Sequence, residues 1–176
     1  MMNSLERNSL KRIKMELNDL QNNPVMNIAG LTVGLPNPNN IYEWRCTMPG
    51  PLDTPYSGGL FFLKIIFPKD YPNSKPEICF ITPIYHVNVL PLGRVCISTL
   101  NCWTPQYTIR KVLIDIWALL YTCCRCCGGG RYEEYQNNRM LYKAKCKYYT
   151  KKYARMDVDY KEFKKTDWNF DDPVTS

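Results

Sequence analysis

A single change of texture constrains the fold of this chain more than any other feature. Leu10, Ile13, Leu17 and Leu20 recur at three- and four-residue steps, with Lys11, Arg12, Lys14 and Asn18 between them. That is the apolar stripe of an amphipathic helix. The pattern stops near Asn22-Asn23-Pro24, where proline cannot continue a helix. From there the period shortens. Leu31-Thr-Val33, Ile41 to Thr47, Leu60 to Phe67 and Glu77 to Ile81 are strand-like runs separated by Pro, Gly and Asn turns. Four such runs in succession predict an antiparallel meander. Helical spacing returns at Thr108 to Tyr121, through Ile109, Val112, Leu113, Ile116, Leu119 and Leu120, and again from about Tyr132 to Ala154. The order predicts an α+β fold with an N-terminal helix, a four-stranded antiparallel meander sheet and C-terminal helices.

Between Thr82 and Pro105 the chain has little periodicity and is rich in Pro, Asn and Gly, yet it holds the chain's single His, two Cys and a Trp. A long irregular stretch inside a compact domain is usually functional. The 176 residues suffice for one core. They divide into a domain at 4–155 and an acidic, aromatic-containing tail at 156–176. Residues 1–155 carry 20 Lys and Arg against 10 Asp and Glu, whereas 156–176 carry 3 against 6. The basic body could meet nucleic acid, but it is mixed with acids and carries no nucleic-acid motif, so an acidic protein partner fits at least as well and charge alone does not decide; no nucleic acid is the expectation carried forward.

No run reaches the roughly 18 apolar residues of a membrane span, and Glu6 and Arg7 stand where a signal peptide would be apolar. No membrane association and a cytoplasmic or nuclear location are therefore expected. Nine cysteines is an odd number, and five of them (Cys46, Cys79, Cys96, Cys102 and Cys146) are scattered singly, which predicts free thiols in a reducing compartment. The run Cys123-Cys-Arg-Cys-Cys-Gly-Gly-Gly130 has zinc-like two-residue gaps. Four ligands so close in sequence cannot readily surround one tetrahedral ion, so no metal is expected.

An ordered set of motifs then narrows the function. Tyr56-Ser-Gly58-Gly59-Leu-Phe-Phe is followed by Phe67-Pro68 and Tyr71-Pro72, then Tyr85-His86-Val-Asn88. After these come Gly93-Arg-Val-Cys96-Ile-Ser and Trp103-Thr-Pro105. In order and spacing this resembles the ubiquitin-conjugating enzyme family over most of the chain. The resemblance implies a transferase with Cys96 as the catalytic cysteine. It would accept ubiquitin or a ubiquitin-like protein from an activating enzyme as a thioester and pass it to a lysine or a ligase. A thiol suits this, because the thiolate both attacks and leaves well. ATP would be consumed by the activating enzyme, so no cofactor is expected here.

The resemblance also implies roles for other residues. Asn88 matches the family's asparagine, whose amide stabilises the oxyanion or holds the loop that does so, a contribution of about 3 kcal/mol. His86 matches a structural histidine rather than a base. Ser98 and Cys127 fall in the active-site loops. Lys11 and Arg12 are expected to meet the activating enzyme, although solvent alone also selects a charged helix face. Ligases of the RING type grip two loops in such enzymes, here Tyr71 to Pro76 and Trp103 to Gln106, which makes Asn73, Trp103 and Pro105 the ligase-binding candidates.

The sequence departs from the family pattern at three places. Val87 stands where proline is usual, and Asn73 where an aromatic is common. Cys123 to Gly130 replaces an Asn-Pro-x-Asp-Pro-like loop and lacks its acid, with Cys127 near the acidic position. Cys96-Ile-Ser98 and Gln136-Asn-Asn-Arg139 also resemble branches serving SUMO or NEDD8. A non-catalytic ubiquitin-binding variant is the remaining rival, and such variants lack the cysteine that Cys96 supplies.

Overall fold

A computed structural model describes residues 3–22, 29–123, 130–157, 163, 165–168 and 170. Helix α1 (Ser4–Asn22) turns Ile13 and Leu20 into the core, as its stripe predicts. Four strands follow: β1 (Thr32–Gly34), β2 (Glu43–Pro49), β3 (Leu60–Ile66) and β4 (Glu77–Phe80). They pair in sequence order, each antiparallel to the next, in one four-stranded sheet. Side chains alternate across a strand, so Trp44, Cys46 and Met48 of β2 and Phe61, Leu63 and Ile65 of β3 share one face, all fully buried. Each large apolar side chain removed from water contributes about 1.5–3 kcal/mol. The intervening Arg45 and Lys64 stay partly exposed and both pair with Glu43.

The chain then crosses an irregular segment to the short helix α2 (Ser98–Asn101) and to α3 (Ile109–Leu119). Ile109, Val112, Leu113 and Ile116 of α3 have no exposed surface. Thr108 caps this helix, its hydroxyl accepting from the Lys111 amide at 3.3 Å. One buried carboxylate ties α3 to α1. Glu16 accepts from the Tyr71 hydroxyl, the Ile109 amide and the Arg12 Nε, all at 2.6 Å. A negative group at the first residue of α3 also complements the helix dipole.

The helical pattern expected over about Tyr132 to Ala154 is divided in the structure. Two helices are present, α4 (Gly130–Asn137) and α5 (Arg139–Tyr153). Asn138 between them has φ −145°, and its side chain caps α5 by accepting from the Leu141 amide at 3.1 Å. Short polar side chains compete with helical main-chain bonding and favour caps. The end of α5 reaches back to the sheet, where the Leu60 amide donates to the Ala154 carbonyl at 2.8 Å. Gly59 makes that approach possible, since a Cβ there would stand 2.7 Å from Thr150 Cγ2. Lys165–Trp168 forms a single 3-10 turn. No described helix is long and apolar enough to cross a membrane.

Candidate active site

The irregular stretch after β4 is buried from Thr82 to Val89. A buried segment without secondary structure must find partners for its main-chain polar groups. His86 supplies two. Its Nδ1 accepts from the Asn88 amide and its Nε2 donates to the Leu119 carbonyl, both at 2.9 Å. The first bond requires Nδ1 to be bare, which puts the proton of the neutral ring on Nε2. Burial lowers the imidazole to about 4. With both nitrogens engaged and the charged form disfavoured, His86 has no lone pair left for a base.

Val87, where proline is usual, uses the amide that proline would lack. Its N–H donates to the Tyr142 hydroxyl at 3.1 Å, tying the loop to α5. Asn88 is wholly buried. Its carbonyl accepts from the Cys96 amide at 2.9 Å, and a bridge between Val89 and Val95 continues the pairing. The loop between them turns through Pro91–Gly93, with Leu92 at φ 60° and Gly93 at φ 79°. Glycine is needed at position 93 for space as well as for conformation: a Cβ would lie 2.0 Å from the Phe80 carbonyl oxygen. The result is a tight loop that returns Cys96 to the Asn88 main chain.

Cys96 is half-buried, and its sulfur accepts from the Asn101 side-chain amide at 3.6 Å. It lines an open groove of about 420 Å³, together with Lys75, Glu77, Leu90 and Arg94. Its sulfur is in a disulfide, and Cys46, Cys79, Cys102, Cys123 and Cys146 are free thiols. The expectation of free thiols therefore fails at Cys96. Burial pushes the Cys46 thiol up to about 12 and the Cys146 thiol to about 11. Burial and the Glu77 carboxylate push Cys79 to about 11. These three make poor thiolates near neutral pH.

Ser98 is the exposed first residue of α2. Cys127 lies outside the described residues, as do Cys124 and Cys126. Among the described residues no group of His, Cys, Asp or Glu is placed to hold a metal ion. The two ligase-binding candidate loops meet: Trp103 Nε1 donates to the Pro72 carbonyl at 2.8 Å, and its ring lies 5.9 Å from that of Tyr71. Asn73 and Pro105 beside them are exposed. Lys11 is exposed as expected. Arg12 is not a simple surface charge, because beyond Glu16 it donates to the Tyr107 carbonyl at 3.0 Å.

Sequence reasoning missed the residues beneath the loop. The Tyr56 hydroxyl donates to the Tyr85 carbonyl at 2.9 Å, and the Cys146 thiol donates to the same carbonyl at 3.2 Å. Glu134 pairs with Lys145 and accepts from the Tyr85 hydroxyl at 2.5 Å. Arg131 donates to the Val89 carbonyl at 2.8 Å. Only Tyr56 and Tyr85 stood in a quotable motif. The others come from helices whose spacing carries no sign of a loop fifty residues away.

Two comparisons with known proteins bear on the family and the fold. The family model described as ubiquitin-conjugating enzyme matches residues 12–150. Among solved structures, the E2 domain of a Toxoplasma gondii ubiquitin conjugating enzyme is similar, with a TM-score of 0.71 and 31% identity, over 83% of this chain and 99% of that one.

Proposed function

Because this chain belongs to the ubiquitin-conjugating enzyme family, we propose that it accepts ubiquitin or a ubiquitin-like protein on Cys96 and passes it to a lysine or a ligase cysteine. The observation that carries this reading is the loop in which the Cys96 amide donates to the Asn88 carbonyl while Cys96 itself opens onto a groove. That arrangement holds a nucleophile and an amide side chain on one short, braced segment. The reduced form of Cys96 does the chemistry. Its thiolate attacks the modifier's thioester on the activating enzyme, a new S–C bond forms, and the activating enzyme's thiolate leaves. An acceptor amine then attacks the Cys96 thioester, loses a proton, and expels the Cys96 thiolate as the amide forms. Asn88, wholly buried as it stands, would serve that second step by turning its amide to the oxyanion or by holding the loop that does so.

The exposed Lys11 serves the activating enzyme, and the joined loops bearing Asn73, Trp103 and Pro105 serve a ligase. Residues 4–155 act as the catalytic domain and 156–176 as an appended tail, in the cytoplasm or nucleus. The test is to incubate the reduced protein with ATP and each activating enzyme with its own modifier. One modifier, whether ubiquitin or one of the SUMO or NEDD8 type, should form an adduct that reductant removes. No adduct with any pair would contradict the proposal.

A further inference from the structure

Two C-terminal aromatics, Trp168 and Phe170, pack at and beside the active-site loop. Trp168 packs at Gly93, where an added Cβ would stand 2.7 Å from its ring carbon Cη2. Gly93 is the last residue of the turn that returns the chain to Cys96. Phe170 lies 4.7 Å from the Tyr149 ring and 5.4 Å from the Tyr85 ring, centroid to centroid, and 6.2 Å from Trp168. Nearer the body, Phe163 reaches Tyr153 at the end of α5, 6.0 Å between centroids.

The Arg131 guanidinium lies against both Tyr85 and Phe170, 5.0 Å from the first ring and 4.7 Å from the second. Two aromatic faces favour a cation there and help offset its burial. The same guanidinium donates from Nη1 to the Val89 carbonyl at 2.8 Å and to the His86 carbonyl at 3.4 Å. Val89 follows Asn88, and His86 accepts from the Asn88 amide. The two docked rings therefore act on both ends of one loop. Trp168 bears on its tip at Gly93, and Phe170 bears, through Arg131, on its root beside Asn88.

We propose that Trp168 and Phe170, with Arg131, are positioning residues that hold Asn88 and Cys96 in register for transfer of the modifier. They touch neither modifier nor acceptor. Their effect passes through the Val89 carbonyl and the Gly93 turn. The inference rests on the reading of Asn88 and Cys96 given above, so its test has one arm that needs no modifier.

The first arm is hydrogen exchange of the reduced full chain. In Trp168→Ala/Phe170→Ala, the amides of Val89, Gly93 and Cys96 should exchange about tenfold faster, while those of β2 and β3 keep their protection. In the second arm each variant is loaded and then discharged over a range of lysine concentrations. The maximal discharge rate of the double variant should fall about tenfold, with the half-saturating lysine concentration changed less than about twofold. Trp168→Phe/Phe170→Tyr should restore the rate to within about threefold, because ring contact is what matters. Unchanged exchange in the loop would overturn the proposal, as would loss of protection spread evenly through the sheet, which would make these side chains general packing. Faster loop exchange with an unaltered discharge rate would overturn the catalytic part. A wild type that loads no modifier would count against the proposed function, and the exchange arm would still decide whether the segment braces the loop.

Discussion

Asn88 and Cys96 meet through the main chain, the Cys96 amide donating to the Asn88 carbonyl at 2.9 Å. The bond fixes the loop without using the Asn88 side chain, so the two contributions separate by mutation. Asn88→Ala keeps the carbonyl and removes the amide. Discharge to an amine should slow about ten- to a thousandfold, the range for one oxyanion donor, while loading is largely retained. Single-turnover loading and discharge measure the two steps. Equal loss in both would mean that the buried side chain holds the loop together instead.

His86 gives a pH signature that can be isolated because it is the chain's one histidine. Burial keeps its native imidazole neutral down to about pH 4, whereas an unfolded histidine titrates near ~6.5. The folded value is the lower one. The stabilisation is therefore complete above about pH 6.5 and is lost as pH falls toward 4, by up to the order of 3 kcal/mol. His86→Gln should lower stability at pH 7 and flatten the difference between pH 7 and 4.5. Urea midpoints of both proteins at the two pH values check this, and an equal slope in both would contradict it.

Lys11 and Arg12 should behave differently despite adjoining in sequence. Lys11→Glu should slow loading, with the defect shrinking as salt is added, and should leave the melting temperature unchanged. Arg12→Glu sets a second carboxylate against Glu16 and removes the bond to the Tyr107 carbonyl. It should cost about 1–3 kcal/mol of stability, discounted for the part of Arg12 that faces solvent. Loading rates at two salt concentrations, set beside thermal melts, distinguish the two variants.

The disulfide at Cys96 blocks the atom that must attack. Protein prepared without reductant should load slowly and reach full loading after reduction and removal of the reductant. Loading that ignores prior reduction would show that Cys96 is a thiol in solution.

The meander was legible because short runs rich in apolar and β-branched residues are separated by Pro, Gly and Asn turns. Glu43–Pro49 also alternates apolar and polar residues, whereas Leu60–Ile66 is apolar except at Lys64. The paired strands Glu43–Pro49 and Leu60–Ile66 lie where that pattern put them. The break at Asn138 was not legible, because the polar run Gln136-Asn-Asn138 fits an exposed helix face as well as a cap. Glu16 was hidden by the same rule that found its helix. A periodic pattern assigns a carboxylate to solvent, and only the arrival of Tyr71 and Ile109 from distant segments makes burial tolerable. The candidate site was marked in the sequence by short motifs around Asn88 and Cys96. Arg131 carries no motif, and its part in the loop depends on two rings and a carbonyl that only the fold assembles.

The most direct test of the account is the chemistry of Cys96→Ser. An oxygen nucleophile is expected to accept the modifier slowly and to hold it as an ester that survives reductant, whereas the wild-type adduct is released. Non-reducing and reducing gels of both proteins, after incubation with ATP, activating enzyme and the modifier that loads, make the comparison. The account predicts a reductant-stable adduct on Cys96→Ser and none that reductant removes. A reductant-labile adduct on Cys96→Ser, formed at the wild-type rate, would place the thioester on another cysteine and contradict it.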